Sequence, residues 1–218
     1  PFTGVGRPAT PMRRTLLGLA QLAIVYAFSY LIMASQIPGL VLVYHAYTAW
    51  GVTGVLLGVY IAAPLGLLVL ALLLVLIKRL IIGRIKPGVY EIDSRSYLRI
   101  WASDFLINIL QTYFMAVYAT LYFPPLLRLL GAKIGRRSEV STHFIPEMLI
   151  AGDEVFLADG CIVGGKRIAH GLVVVSANRI DKRSFIGNSA LVPPGKDISQ
   201  DCLIGVLSTS PHGTGPVP

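Results

Sequence analysis

The sequence predicts two regions built for different solvents: a membrane α-helical hairpin, followed by a left-handed parallel β-helix made of six-residue repeats (a hexapeptide-repeat solenoid). Three observations predict this. Residues 15–77 run for 63 positions without an Asp, Glu, Lys or Arg. The whole chain is 54% hydrophobic and only 14% charged, where a soluble domain carries roughly a quarter charged residues. From about residue 131 aliphatic side chains return at every sixth position.

The first region covers residues 1–87. Residues 15–35 and 52–77 are each long enough to cross about 30 Å of hydrocarbon as a helix. Between them, 36–50 holds Pro38, Gly39, His45, Tyr44, Tyr47 and Trp50, which reads as a short interfacial connection. Arg13 and Arg14 precede the first span; Lys78, Arg79, Arg84 and Lys86 follow the second. Positive charge at both ends places both on the cytoplasmic side. The expectation is a polytopic protein of the plasma (cytoplasmic) membrane with the β-helix in the cytoplasm and the lipid bilayer as a partner. Of the net charge of +8, most flanks the apolar spans, where it attracts anionic lipid. A nucleic-acid-binding protein would carry it on the soluble part, so no nucleic-acid partner is expected.

Residues 88–130 read as an interfacial amphipathic helix and linker. Stretch 105–123 is uncharged, and Asp104, Asn108, Gln111 and Thr112 recur at helical spacing as a polar stripe. A third crossing would carry Arg128, Lys133, Arg136 and Arg137 outside, against the charge rule. The expectation is a helix lying on the bilayer, apolar face in lipid, ending at Pro124–Pro125.

The solenoid spans 131–209. Ile180, Ile186, Val192, Ile198 and Ile204 keep a strict period of six, and the fifth position of each repeat is Ser184, Ala190, Lys196, Cys202 and Ser208. Ile134 and Val140, then Ala151, Leu157 and Val163, hold the same period in other registers, with interruptions near 143–149 and 164–179. Three such repeats close one coil. The aliphatic fills the interior, the small residue sits where the chain bends inward, and stacking buries a continuous column. Cys161 and Cys202 fall at small inward positions and read as free buried thiols rather than a disulfide framework. Residues 210–218 form a Pro/Gly-rich linker; with the start lacking Met, they read as the edges of an excerpt from a longer polypeptide.

In motif order, RLLGAKIGRRSEVST, AGDEVFLADGCIVGG, NRIDKRSFIGNSALVPPG and LIGVLS resemble the repeated carboxy-terminal module of ε-poly-L-lysine synthetase-type nonribosomal peptide synthetases, within the wider hexapeptide-repeat acyltransferases. That resemblance covers about 126–209. It implies peptide-bond formation from an aminoacyl thioester, carried on the phosphopantetheine arm of a carrier domain, to an amine acceptor. It also implies homologous tandem copies packed as a pseudo-trimer (or a homotrimer), with the excursion 164–172 at their contact. Alternatives are an acyl-CoA-dependent O- or N-acyltransferase, from fold alone, and a non-catalytic scaffold copy.

Such a transfer needs a base, and histidine is the usual one. His45 sits between the spans and His212 in the tail, which leaves His143 and His170, at the two interruptions, as catalytic candidates. Asp153 and Asp159, one repeat apart, and Asn178 and Asn188 are candidate substrate-binding residues, or corner residues that satisfy turn amides. Lys166 and Arg167 suit a pantetheine phosphate or an acidic carrier domain, or simply a solvated surface. Neither CxxC nor HxxxH spacing occurs, so no metal site is expected, and no cofactor bound by the segment itself.

Overall fold

The computed structural model describes residues 10–210; His212 and the terminal linkers lie outside them. Helix α1 (Pro11–Ser35) runs through Gln36 into α2 (Ile37–Ile77), and a π turn at Lys78–Ile82 ends the run. Pro11–Ile82 is long and apolar enough to cross a membrane. The chain reverses inside α2, at Gly51, whose φ of 60° and ψ of −140° are open to glycine. Beyond it the two limbs pack so closely that a Cβ on Gly54 would stand 2.0 Å from the Ala46 carbonyl oxygen. Gly58 meets Val43, Gly39 meets Ala62, and Gly66 meets Gln36.

This corrects the expected connection at 36–50, which is helical. Pro38 lies in the first turn of α2, where its missing N–H is no loss and its fixed φ suits a helix. It starts a helix rather than interrupting one.

After β1 (Gly88–Glu91), α3 spans Arg95–Tyr113, capped by the Ser94 hydroxyl, which accepts from the Tyr97 amide at 3.1 Å. Residues 114–122 are turns, and α4 covers Phe123–Leu130. The helix expected over 105–123 is therefore displaced by ten residues towards the N-terminus at the same length of 19, and its apolar face is covered by protein. Leu106, Ile107, Ile109 and Leu110 are buried in one core with Leu70 and Leu74 of α2 and the interior of the coil, while Ile100 is buried in a second core with Ile85, Ile145, Met148, Val173 and Val175. Pro124 and Pro125 open α4 instead of closing α3. The amphipathic α4 turns Phe123, Leu127 and Leu130 onto the start of the coil, the capping that a stack with an open end requires.

The coil consists of short strands that visit three parallel ladders in rotation. One holds β2 (Lys133–Ile134), β4 (Leu149–Ala151), β9 (Asn178–Ile180) and β12 (Asp197–Ile198). A second holds β3 (Glu139–Val140), β5 (Phe156–Leu157), β10 (Phe185–Ile186) and β13 (Leu203–Ile204). The third pairs β6 (Ile162–Val163) with β11 (Leu191–Val192). Ile180 pairs with Ile198 and Ile186 with Ile204, so one uninterrupted coil consumes eighteen residues, three repeats of six. All ten aliphatic residues assigned inward are buried, and both cysteines are buried and free.

The second interruption is an antiparallel sheet that leaves the coil. β7 (Lys166–Ala169) and β8 (Leu172–Val175) form a hairpin, and β8 pairs with β1. The segment read as a linker at 88–130 thus contributes a strand to the excursion.

Candidate functional site

The first interruption leaves His143 in the third ladder, bridged to Ile162. Its neighbours Thr142 and Phe144 are buried while Ile162 is exposed, so His143 holds the outward place of that strand, facing α3. Asp104 and Gln111 stand seven residues apart, two turns of one helix, and hence on one face. Both reach the same imidazole. Asp104 Oδ1 lies 3.5 Å from His143 Nε2, and Gln111 Oε1 lies 3.4 Å from His143 Nδ1. The second carboxylate oxygen of Asp104 accepts from Lys166, at the base of the β7–β8 hairpin. Three distant segments, α3, the coil and the excursion, therefore meet at one carboxylate.

Asp104 is 17% exposed and His143 40%, so the pair stands at a rim open to solvent. Burial pushes the Asp104 carboxyl upward, but hydrogen bonds and charge from His143 and Lys166 outweigh it and hold it below its ordinary value of 3.8. It is ionised at neutral pH and fixes the imidazole by its charge. Tyr118, in the turns after α3, has its hydroxyl pushed up to about 12 by burial, with the charges of Asp159 and Cys161 adding to the effect and a hydrogen bond with Gln111 opposing it. It remains a neutral O–H donor. The Cys161 thiol is pushed up to about 11, chiefly by burial, which makes it a poor nucleophile.

Of the other residues singled out in the sequence, Lys166 joins Asp104 and Asp159 acts on Tyr118 through its charge; the rest are not gathered here. His170 is at the exposed tip of the hairpin with φ 50°, followed by Gly171 at φ 76°. It stands about 13 Å along the extended β7 from Lys166. Asn178 is a correction: it is buried, and its amide donates to the Pro193 and Lys196 carbonyls while its oxygen accepts from the Gly195 amide. With every polar atom engaged, it holds a corner of the coil and has nothing left for a substrate. Asp153 accepts from the Arg136 amide at 2.6 Å, also as a corner residue. Asp159 and Asn188 are exposed corner residues, and Arg167 is exposed within β7 of the hairpin. Lys166 turns to Asp104 rather than outward. In the sequence Asp104 and Gln111 stand out only as part of a polar stripe; their spacing of seven is the signal that they can share a partner.

No family model matches the chain. Among solved structures, it is similar to a maltose O-acetyltransferase from Clostridium difficile 630, with 15% identity over 62% of this chain and 86% of that one, at a TM-score of 0.37. It is also similar to serine acetyltransferase isoform 3 from Entamoeba histolytica, with 13% identity over 82% of this chain and 72% of that one, at a TM-score of 0.25. A curated protein, delta-poly-L-ornithine synthetase from Acinetobacter baumannii (strain AB307-0294), is 38% identical over 138 residues. The match takes in 62% of this chain, and the chain spans about a tenth of that relative's length. The resemblance to poly(amino acid) synthetases carried by the motif order therefore has a counterpart in a relative that bears such a name.

Proposed function

We propose that this chain is the membrane-bound acyl-transfer module of a poly(amino acid) synthetase, with His143 as its general base. The observation that carries this is the Asp104–His143 pair. Among the described residues, His143 is the one imidazole within ion-pair distance of a carboxylate. The similarity to a named poly-ornithine synthetase supports the reaction class.

In this reading Asp104 holds the Nε2–H of a neutral imidazole, leaving the Nδ1 lone pair for the acceptor amine. The amide of Gln111, turned to present its NH2, fills that place until substrate arrives. The amine attacks the thioester carbonyl of a carrier-bound aminoacyl group. The C–N bond forms, its proton passes to Nδ1, the C–S bond breaks, and the imidazolium returns the proton to the leaving thiolate. Tyr118 offers a neutral donor to the developing oxyanion. The exposed carboxylate of Asp159 suits the ammonium group of a basic acceptor. The apolar helical limbs lie in the plasma membrane as a hairpin, the coil winds left-handed on the cytoplasmic side, and homologous copies pack beside it as a pseudo-trimer.

The test uses the full-length synthetase with its carrier domain, measuring amino acid loaded on the carrier separately from polymer formed. His143→Ala is expected to lower polymer formation by at least about a hundredfold with loading unchanged. Polymer made at the parental rate would overturn the assignment.

A further inference from the structure

Two cavities on the same side of α2 meet at Leu129. One, of about 300 Å³, lies where the apolar helical run ends and is lined by Lys78, Arg79, Arg84 and Glu147. The other, of about 430 Å³ and almost wholly apolar, runs between α2 and residues 114–129. Pro64, Leu68, Leu72 and Val75 line the second and Arg79 the first. At three- and four-residue steps, these form one continuous helical face. Leu68 and Leu72 are more than half exposed along it.

The polar cavity has unspent hydrogen-bonding capacity of both signs. Lys78 is committed, donating to Glu147 Oε1 at 2.7 Å and to the Gly83 carbonyl at 3.2 Å. Arg79 gives its Nε to the Leu129 carbonyl, and the Arg84 guanidinium has no hydrogen-bond partner among the described residues. Glu147 Oε1 also accepts from the Ile85 amide, whereas Oε2 is buried with no partner. Such an atom calls for a donor. Two guanidiniums with free N–H groups call for an anion.

We infer that the joined cavities bind one glycerophospholipid whose headgroup carries a hydroxyl or ammonium donor. Its phosphodiester sits between Arg79 and Arg84, its donor reaches Glu147 Oε2, and an acyl chain lies along α2 from Val75 towards Pro64. That stretch is about 16 Å long, close to one leaflet of a roughly 30 Å hydrocarbon core. A soluble phosphate ester would use only the polar cavity and leave the groove empty. The inference rests on the membrane placement proposed above but not on the chemistry at His143.

The test is lipid titration of the purified chain in detergent, read by native mass spectrometry. Phosphatidylglycerol and phosphatidylethanolamine are expected to bind at least about tenfold more tightly than phosphatidylcholine, whose headgroup has no N–H or O–H donor. Arg79→Gln with Arg84→Gln weakens binding about tenfold at an unchanged melting temperature. Leu72→Trp, which fills the groove, displaces the lipid. Glycerol 3-phosphate and phosphopantetheine fail to compete. Equal binding of phosphatidylcholine, or indifference to the paired arginine change, overturns the inference. Competition by the soluble esters also overturns it and reassigns the pocket to a free phosphate compound. Vesicle flotation separates two failures: a chain that does not float loses its membrane placement and this site together, whereas one that floats without headgroup preference loses only this site.

Discussion

Along the coil each buried contact is made again one turn later; at the seam between the helices and the coil each contact is made once. In the coil, Ile186 pairs with Leu157 on one side and Ile204 on the other, and its interior place is dictated by its position in the repeat. At the seam, Lys78 meets Glu147 and Asp104 meets His143 and Lys166 across gaps of 39 to 69 residues. A repeat distributes stability over interchangeable neighbours. A seam built from ionised groups depends on each partner being present, because the lone survivor is left charged in a poorly hydrated place.

The largest test of this difference is a charge placed inside the coil. Ile186→Asp leaves an unpaired carboxylate at a fully buried position and should cost on the order of 4 kcal/mol or more. Asn188→Asp, exposed on the same repeat, should stay within about 0.5 kcal/mol of the parent. Thermal melts compare them, and similar melting of the two variants would mean the inward register is wrong.

At the seam, Lys78→Met strands Glu147. The pair is 2% and 6% exposed, so the loss should be about 3–5 kcal/mol. Adding Glu147→Gln should recover most of it, while the Gln oxygen still accepts from Ile85. A double variant as unstable as the single one would show that packing, not pairing, sets the value of this contact.

For catalysis, Asp104→Asn should lower polymer formation by about a hundredfold, whereas His170→Ala at the hairpin tip should leave it near the parental rate. A defect in His170→Ala matching that of His143→Ala would move the site to the hairpin. Acidification probes the same seam without mutation. Since Asp104 titrates below its unfolded value, its ionisation stabilises the fold above the ordinary carboxylate range, and that contribution is lost as pH falls through the depressed pKa. Trp101, stacked on Phe105 in α3 with ring centroids 5.5 Å apart, reports the loosening by fluorescence below about pH 4. Asp104→Asn should lack that step. The smallest effect belongs to Asp153→Ala, which removes one corner hydrogen bond and should cost about 1 kcal/mol.

The coil was legible because its information is local. A strict period of six selects inward aliphatics and small bends without reference to anything distant, and all ten residues so assigned are buried. The long uncharged run likewise marked the apolar helices. Prolines misled in one consistent way. Pro38 and the Pro124–Pro125 pair look like breaks in the sequence, yet each lies in the first turn of a helix, because proline lacks only a hydrogen bond that a helix start never makes. Whether a proline ends a helix or begins one depends on the residues C-terminal to it, and in both places those residues are helical.

What the sequence determined by itself was therefore periodic: the repeat, its interior, and the apolar length of the helices. The tertiary structure decided what covers each remaining face. The apolar side of α3 had two possible solvents, lipid or protein, and composition does not distinguish them; α2 and the coil supplied the cover. The same docking brings Asp104 to His143, 39 residues away, and turns Lys166 from a surface cation into its second partner. Hydrophobic burial is indifferent to which apolar surface it meets, so the choice of surface, and the charged cluster that depends on it, was made only when the elements packed.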